Sequence, residues 1–241
     1  MPQKLTSDEV LVQNEAIQFA KKNRRSIARR LTDKSLYPSE DTPVAIFMSG
    51  SPGAGKTETS RELIAEITDG TSRVLRLDPD ELRVEFDAYN GKNSYLFQRS
   101  VSILIEKALD YAFKNQQSFL LDGTLSSYKV AEKNIQRALG RNWDVLVIFV
   151  YQRPELAWEF VLAREELEGR RILPKHFVQQ FFSSQNVVES LKQKYGDRIR
   201  VDLLLKDNDG ATRSHFNDVS SLLPYIHPKY THENLMNIVQ S

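Results

Sequence analysis

Cysteine is absent from all 241 residues, which excludes disulfides and thiolate metal sites and agrees with a reducing, cytoplasmic setting. Net charge is nearly absent too. The 33 basic and 32 acidic residues leave a formal +1, so no global field draws the chain toward nucleic acid or a membrane surface, and any basic site must be local. Long apolar runs are missing: "VLVIFVY" (145–151) falls far short of the roughly 20 residues that span a bilayer. The opening "MPQKLTSDEV" has no signal-peptide apolar core. There is no internal repeat or low-complexity tract. The four histidines, His176, His215, His227 and His232, match no H-E-x-x-H spacing. What remains is a globular enzyme or binding module, expected as one α/β domain with an extension.

Apolar, β-rich runs recur at 43–49, 73–78, 118–123, 144–150 and 198–207, with helical periodicity between them. Near-continuous apolar strands alternating with helices predict a mostly parallel, doubly wound sheet with helices on both faces. Residues 1–42 read differently. "TSDE" (6–9) has capping-box spacing, and Ile17, Ala20, Ile27 and Leu31 follow at helical intervals. They predict an N-terminal helical extension, with "YPSEDTP" (37–43) as linker into a domain over 43–241. The basic residues on that helix, Lys21, Lys22, Arg24, Arg25, Arg29 and Arg30, suit either an RNA-binding arm or a solvated polar face. After about residue 215, "VSSLLPYI" and "ENLMNIVQ" predict C-terminal packing helices.

Against this background "GSPGAGKTE" (50–58) stands out, matching G-x-x-x-x-G-K-[ST] between a strand and a helix. Gly50, Ser51, Pro52, Gly53, Ala54 and Gly55 would turn backbone N–H groups toward phosphate oxygens, with the helix N-terminus at Lys56, Thr57 and Glu58 adding its positive end. The pattern predicts a P-loop for a nucleoside triphosphate. Lys56 would neutralise its β/γ-phosphates and the Thr57 hydroxyl would hold Mg²⁺.

Later residues must decide what happens to the terminal phosphate. In "LDPDEL" (77–82), Asp78, Pro79 and Glu81 fit an N-cap, N1 and N3 arrangement, leaving Asp80 to favour the helix dipole or to accept a proton from an attacking hydroxyl. "SFLLDG" (118–123) resembles a Walker B strand, with Asp122 oriented toward Mg²⁺ directly or through water, and Gly123 and Thr124 open to a substrate. Glu106, at the edge of an apolar helical face, reads as a solvated residue or a substrate contact. Beyond the helix stop at Gly169 lie Arg170 and Arg171; Arg164 and Arg171 read as a solvated basic end or as cations for a migrating phosphate.

In order and spacing, "GSPGAGKT", "LDPDELR", "LLDGT" and "REELEGRRILP" resemble the zeta toxin family, P-loop kinases of bacterial toxin-antitoxin systems, over about residues 43–207. The resemblance implies that Lys56 and Thr57 bind ATP and Mg²⁺. It makes Asp80 the base, places Glu106, Asp122 and Thr124 at the acceptor, and gives Arg164 and Arg171 the transferring phosphate. The implied acceptor is the 3′-hydroxyl of the amino sugar of UDP-N-acetylglucosamine. It also implies a helical antitoxin, a role that the N-terminal helix would fill in cis if it autoinhibits rather than simply packs. Asp122 departs from the family, where Glu is frequent. Two other readings use the same residues: a polynucleotide or antibiotic kinase on the same scaffold, and a non-enzymatic nucleotide switch.

Overall fold

The structure is a computed structural model that describes residues 5–67, 74–169, 171–206, 213–226 and 229–240. Arg73, Arg170, Asp207 and His227, which the sequence reading invokes, lie outside the described residues.

The elements run α1 (Ser7–Leu31), β1 (Val44–Ser49), α2 (Lys56–Ile67), β2 (Leu75–Leu77), α3 (Gln98–Asn115), β3 (Phe119–Leu121), α4 (Tyr128–Leu139), β4 (Asp144–Tyr151), α5 (Pro154–Glu168), α6 (Pro174–Tyr195), β5 (Arg200–Lys206), β6 (Arg213–Phe216) and α7 (His232–Gln240). Short 3-10 turns occupy Glu81–Glu85 and Ser94–Phe97. The sheet order is β2-β3-β1-β4-β5-β6, parallel except for β6, which runs antiparallel to β5. The five expected strands are all present. β6 was not expected, because "RSHF" carries one apolar residue and pairs only along the edge of β5. "VSSLLPYI" forms turns instead of a helix, whereas "ENLMNIVQ" is helical as expected.

The chain order around β1 explains where a ligand belongs. β1 lies between β3 and β4, and the connections on its two sides lead in opposite directions across the sheet. Such a switch point opens a crevice at the strands' carboxyl ends, the end from which residues 50–55 emerge. Alternation along β1 divides the core: Ala45 and Phe47 face the larger cluster with α1, α3, α4, α5, α6 and α7, while Ile46 and Met48 face Ala54, Leu63 and Ile64 on the α2 side.

α1 begins with the capping box the sequence predicts: Thr6 N donates to Glu9 Oε2 at 2.8 Å and Glu9 N to Thr6 Oγ1 at 3.2 Å. It is built into the core. Ala16, Ile17, Ala20, Ile27 and Ala28 are buried, and α1 packs along α3, where Ala108 and Ala112 are also buried. Small side chains on both helices suit a close approach. Its flank also grips the turn Glu81–Glu85 and the residue after it: Arg30 pairs with Glu85 at 2.5 Å, and the Phe19 and Phe86 rings meet edge-on at 5.5 Å. Overpacking this seam should be costly. Ala20→Leu, at a fully buried position, is expected to destabilise by about 1–3 kcal/mol, read as a thermal midpoint lower by several degrees; an unchanged midpoint would contradict the α1–α3 packing.

Candidate active site

Residues 50–55 leave β1 and are pressed against neighbouring backbone. Gly50 has φ 138° and a Cβ there would lie 2.3 Å from the Val150 carbonyl oxygen of β4; Gly53 has φ 73° and its Cβ would lie 2.0 Å from the Ala157 carbonyl oxygen of α5. Neither contact leaves room for a side chain, so both glycines are required by space as well as by dihedral. Lys56, at the start of α2, folds back over the loop, its Nζ donating to the Gly50 oxygen at 3.1 Å and the Ser51 oxygen at 2.6 Å. The Lys206 ammonium, at the end of β5, reaches the same loop, 2.6 Å from where a Gly55 Cβ would stand. The cradle therefore has the loop geometry, helix N-terminus and cation that a polyphosphate requires.

One buried arginine ties this loop's helix to the acidic residues. Arg76, in the middle of β2, places Nη2 2.7 Å from Asp78 Oδ2 and 2.5 Å from Asp122 Oδ2, and Nη1 2.7 Å from Glu81 Oε1. Its Nε donates to Ser60 Oγ of α2 at 3.0 Å, and Ser60 Oγ lies 2.9 Å from Asp122 Oδ2. Asp78 Oδ1 accepts from the Asp80 N–H at 2.7 Å, fixing the turn from which Asp80 projects. The expected cap is thus an Asx turn into a 3-10 turn, and Glu81 bonds to Arg76 and Arg61 rather than to the cap backbone. Burial pushes the Asp78 carboxyl up, reinforced by the Asp80 and Asp122 charges and opposed by the Asp80 N–H and Arg76. Burial also works against the Arg76 charge, but its bonds to Glu81 and Asp122 prevail and hold the guanidinium above its usual value.

Asp80, half-buried on this turn, has Oδ1 accepting from Arg83 Nη1. Asp122 sits at the tip of β3, almost wholly buried, with Oδ2 committed to Ser60 and Arg76. Two donors on that oxygen oppose direct ligation of a metal through Oδ2. The Thr57 hydroxyl, in the first turn of α2, is a donor type that suits Mg²⁺ beside phosphates. Thr124 is held close to β1, its carbonyl oxygen 3.3 Å from Ser49 Oγ and its hydroxyl 3.0 Å from Ser126 Oγ.

Arg164 on α5 reaches toward the start of α2, 3.8 Å from Glu58 Oε1. Arg171, largely exposed, lies 3.6 Å from Glu165 of α5, and Glu106 pairs with Lys133 of α4 on the surface. Neither of these last two pairs includes a residue of the loop or of the Arg76 network. The αL stop at Gly169 does form, and a Cβ at that position would meet Lys92 and the Asn90 carbonyl, in the segment after the Asp80 turn, at ordinary van der Waals distance. Sequence reasoning missed Arg76, Ser60, Arg83 and Lys206. Arg76 did leave a signal, a charge between two buried leucines of a three-residue strand.

Two substitutions test this geometry. Gly53→Ala should abolish nucleotide binding in calorimetry while circular dichroism retains the fold; retained binding would refute the close contact with Ala157. Arg76→Met leaves Asp78 and Asp122 buried without their cation, and should cost about 3–5 kcal/mol in urea unfolding.

Comparison with known proteins agrees with this architecture. The sequence model of the Zeta toxin family matches residues 27–220. Toxin PezT of Streptococcus pneumoniae serotype 4 is 25% identical over 135 residues, covering 53% of this chain and 52% of PezT, so the chain spans about half the length of that curated relative. Among solved structures, the PezAT chromosomal toxin-antitoxin system of Streptococcus pneumoniae superposes with a TM-score of 0.64 at 18% identity, over 99% of this chain and 95% of that one. The AvrRxo1-ORF1:-ORF2 structure with ATP gives 0.59 at 15% identity, over 87% and 67%. These two likenesses establish a shared fold, and the first extends over α1. With the family model covering most of its length and the loop, acidic turn and third-strand aspartate in their expected order, this chain belongs to the zeta toxin family.

Proposed function

We propose that this chain is an ATP-dependent phosphotransferase that moves the γ-phosphoryl group to a sugar hydroxyl of a nucleotide sugar, UDP-N-acetylglucosamine. The observation that carries the proposal is the continuous link from cradle to carboxylate. α2, which begins at the loop, is hydrogen-bonded through Ser60 to Asp122 and Arg76, Arg76 to Asp78, and Asp78 to the backbone of Asp80. Phosphoryl transfer asks mainly for positioning and for charge stabilisation. A loop and a base carried on one rigid network meet the first demand.

In this reading the loop N–H groups and Lys56 hold the β/γ-phosphates and keep the terminal group in line with the acceptor. Asp80 accepts the acceptor hydroxyl's proton. Mg²⁺ would be held by Thr57 and approached through water by Asp122, and it supplies neutralisation of phosphate charge. Arg164, already beside the first turn of α2, stabilises charge on the migrating group, joined by Arg171 when the segment beyond Gly169 closes. Glu106 and Thr124 contact the acceptor. Residues 43–241 form the catalytic domain, with 1–42 as a helical segment that shares its core. The family and the PezAT likeness support a toxin restrained by a protein antitoxin, acting in the cytoplasm. Among the described residues no helix is long and apolar enough to cross a membrane.

Transfer assays with labelled ATP should give a phosphorylated product with UDP-N-acetylglucosamine and none with an oligonucleotide 5′ end; the reverse outcome replaces the proposed acceptor. Asp80→Asn should lower turnover roughly 10²- to 10⁴-fold while ATP still binds. Wild-type turnover in that variant would remove Asp80 from the role of base.

A further inference from the structure

The chain's formal charge is only +1, yet one groove collects cations. It follows the C-terminal halves of α1 and α3, has a volume of about 410 Å³, and is lined by Arg25, Arg29, Lys107, Asp110, Tyr111 and Lys114. Arg25 and Arg29 stand one turn apart on α1, and Lys107, Tyr111 and Lys114 share a ridge of α3, so like charges are neighbours both along and across the groove. Arg25, Arg29 and Lys114 have no ion pair among the described residues. The carboxylate in the lining, Asp110, is already neutralised: its Oδ2 accepts from Lys107 Nζ at 3.1 Å and its Oδ1 from Arg137 Nη2 of α4 at 2.7 Å. The Tyr111 ring further steadies Lys107, whose Nζ lies 5.6 Å from the ring centroid. Attraction to the carbonyl ends of the two helices accounts for Arg29 and Lys114, which lie in the last turns. Arg25 and Lys107 lie in earlier turns, where that attraction has faded.

We propose that this groove is a second anion site, suited to a compact ligand that carries several linked phosphate groups. A cleft lined by one sign of charge focuses the field and raises the local concentration of the opposite sign. Each guanidinium can take two oxygens of one phosphate, while the ammoniums act as point charges beside the next. Such a ligand also relieves the repulsion among the four cations. Small-molecule pockets run from about 300 to 1,000 Å³, and this groove stands near the lower end, which favours a compact ligand over an extended nucleic-acid strand. It is separate from the catalytic crevice. α1 and α3 both end near the amino end of β3, where Gln117 Nε2 donates to the Thr32 oxygen at 3.2 Å. The phosphate loop instead leaves the carboxyl end of β1, which runs parallel to β3. No lining residue belongs to the loop, the Arg76 network or the proposed acceptor contacts, so the inference does not depend on the transfer reaction.

Calorimetry with inorganic tripolyphosphate, in magnesium-free buffer of low ionic strength, tests the assignment. The full chain carrying Gly53→Ala serves as reference, because that change removes the phosphate loop as a competing site. We expect one site per chain, weakened by added salt, and weakened about tenfold or more when Arg25→Gln and Lys114→Gln are added. Both side chains are exposed, and in the otherwise wild-type chain the same pair should leave ATP affinity within about threefold. Inorganic phosphate, which meets only part of the cation set, should bind more weakly than tripolyphosphate. Absence of binding to the reference chain, or a smaller loss from the groove substitutions, overturns the inference. Equal affinity for single phosphate overturns the ligand class. So does a short single-stranded RNA that binds the groove more tightly than tripolyphosphate, an outcome that would give the surface to nucleic acid. Should Gly53→Ala not fold, the loop is filled with a non-hydrolysable ATP analogue and the same comparison is made. Should the groove pair not fold, Arg29→Gln alone is read, and an unchanged affinity overturns the inference.

Discussion

Three aspartates crowd the tips of β2 and β3, and burying two of them requires a cation within hydrogen-bond reach. Arg76 meets that requirement from inside a three-residue strand. Its four polar contacts reach β3, α2 and the turn after β2, so the sheet edge, the nucleotide-loop helix and the acidic turn hold fixed relative positions. Remaking any one of them would disturb the others, because each carboxylate relies on the same guanidinium. The site's shape is in this sense an electrostatic consequence of one residue, on which the loop glycines and the Asp80 turn are superimposed.

The loop obeys a separate constraint, that of space. Backbone carbonyls of β4 and α5 approach Gly50 and Gly53 closely enough to exclude any side chain. That contact joins the loop to α5, the helix that carries Arg164. The phosphate cradle is thus bounded on one side by the acidic network and on the other by the first turns of an arginine-bearing helix, and both boundaries are made of short, direct contacts.

Much of this was legible from the sequence because it depends on local rules. The P-loop signature needs glycines at fixed offsets, the capping box needs Thr6 and Glu9 three apart, and five apolar runs announce five strands. What the sequence hid depends on pairing at a distance. Arg76 reads as a lone charge until β2 and β3 lie side by side and bring Asp122, 46 residues away, onto its guanidinium. Arg83 is buried only because the turn after Asp80 tightens to 3-10 geometry, which residue spacing does not announce. β6 has almost no apolar signal and exists because β5 offers an edge. Glu106 shows the opposite case. Its place at the margin of an apolar helical face suits a solvated residue, and in this structure it pairs on the surface with Lys133.

The seam between α1 and α3 bears on how the protein is made. α1 is synthesised well before its packing partner, because the surface that covers its alanine stripe lies beyond residue 97. At roughly 5–20 residues per second, translation leaves that stripe uncovered for several seconds. During that interval the nascent helix is amphipathic, basic on one side and unsatisfied on the other, and whichever chaperone or partner meets it first sees a surface that the finished protein no longer shows.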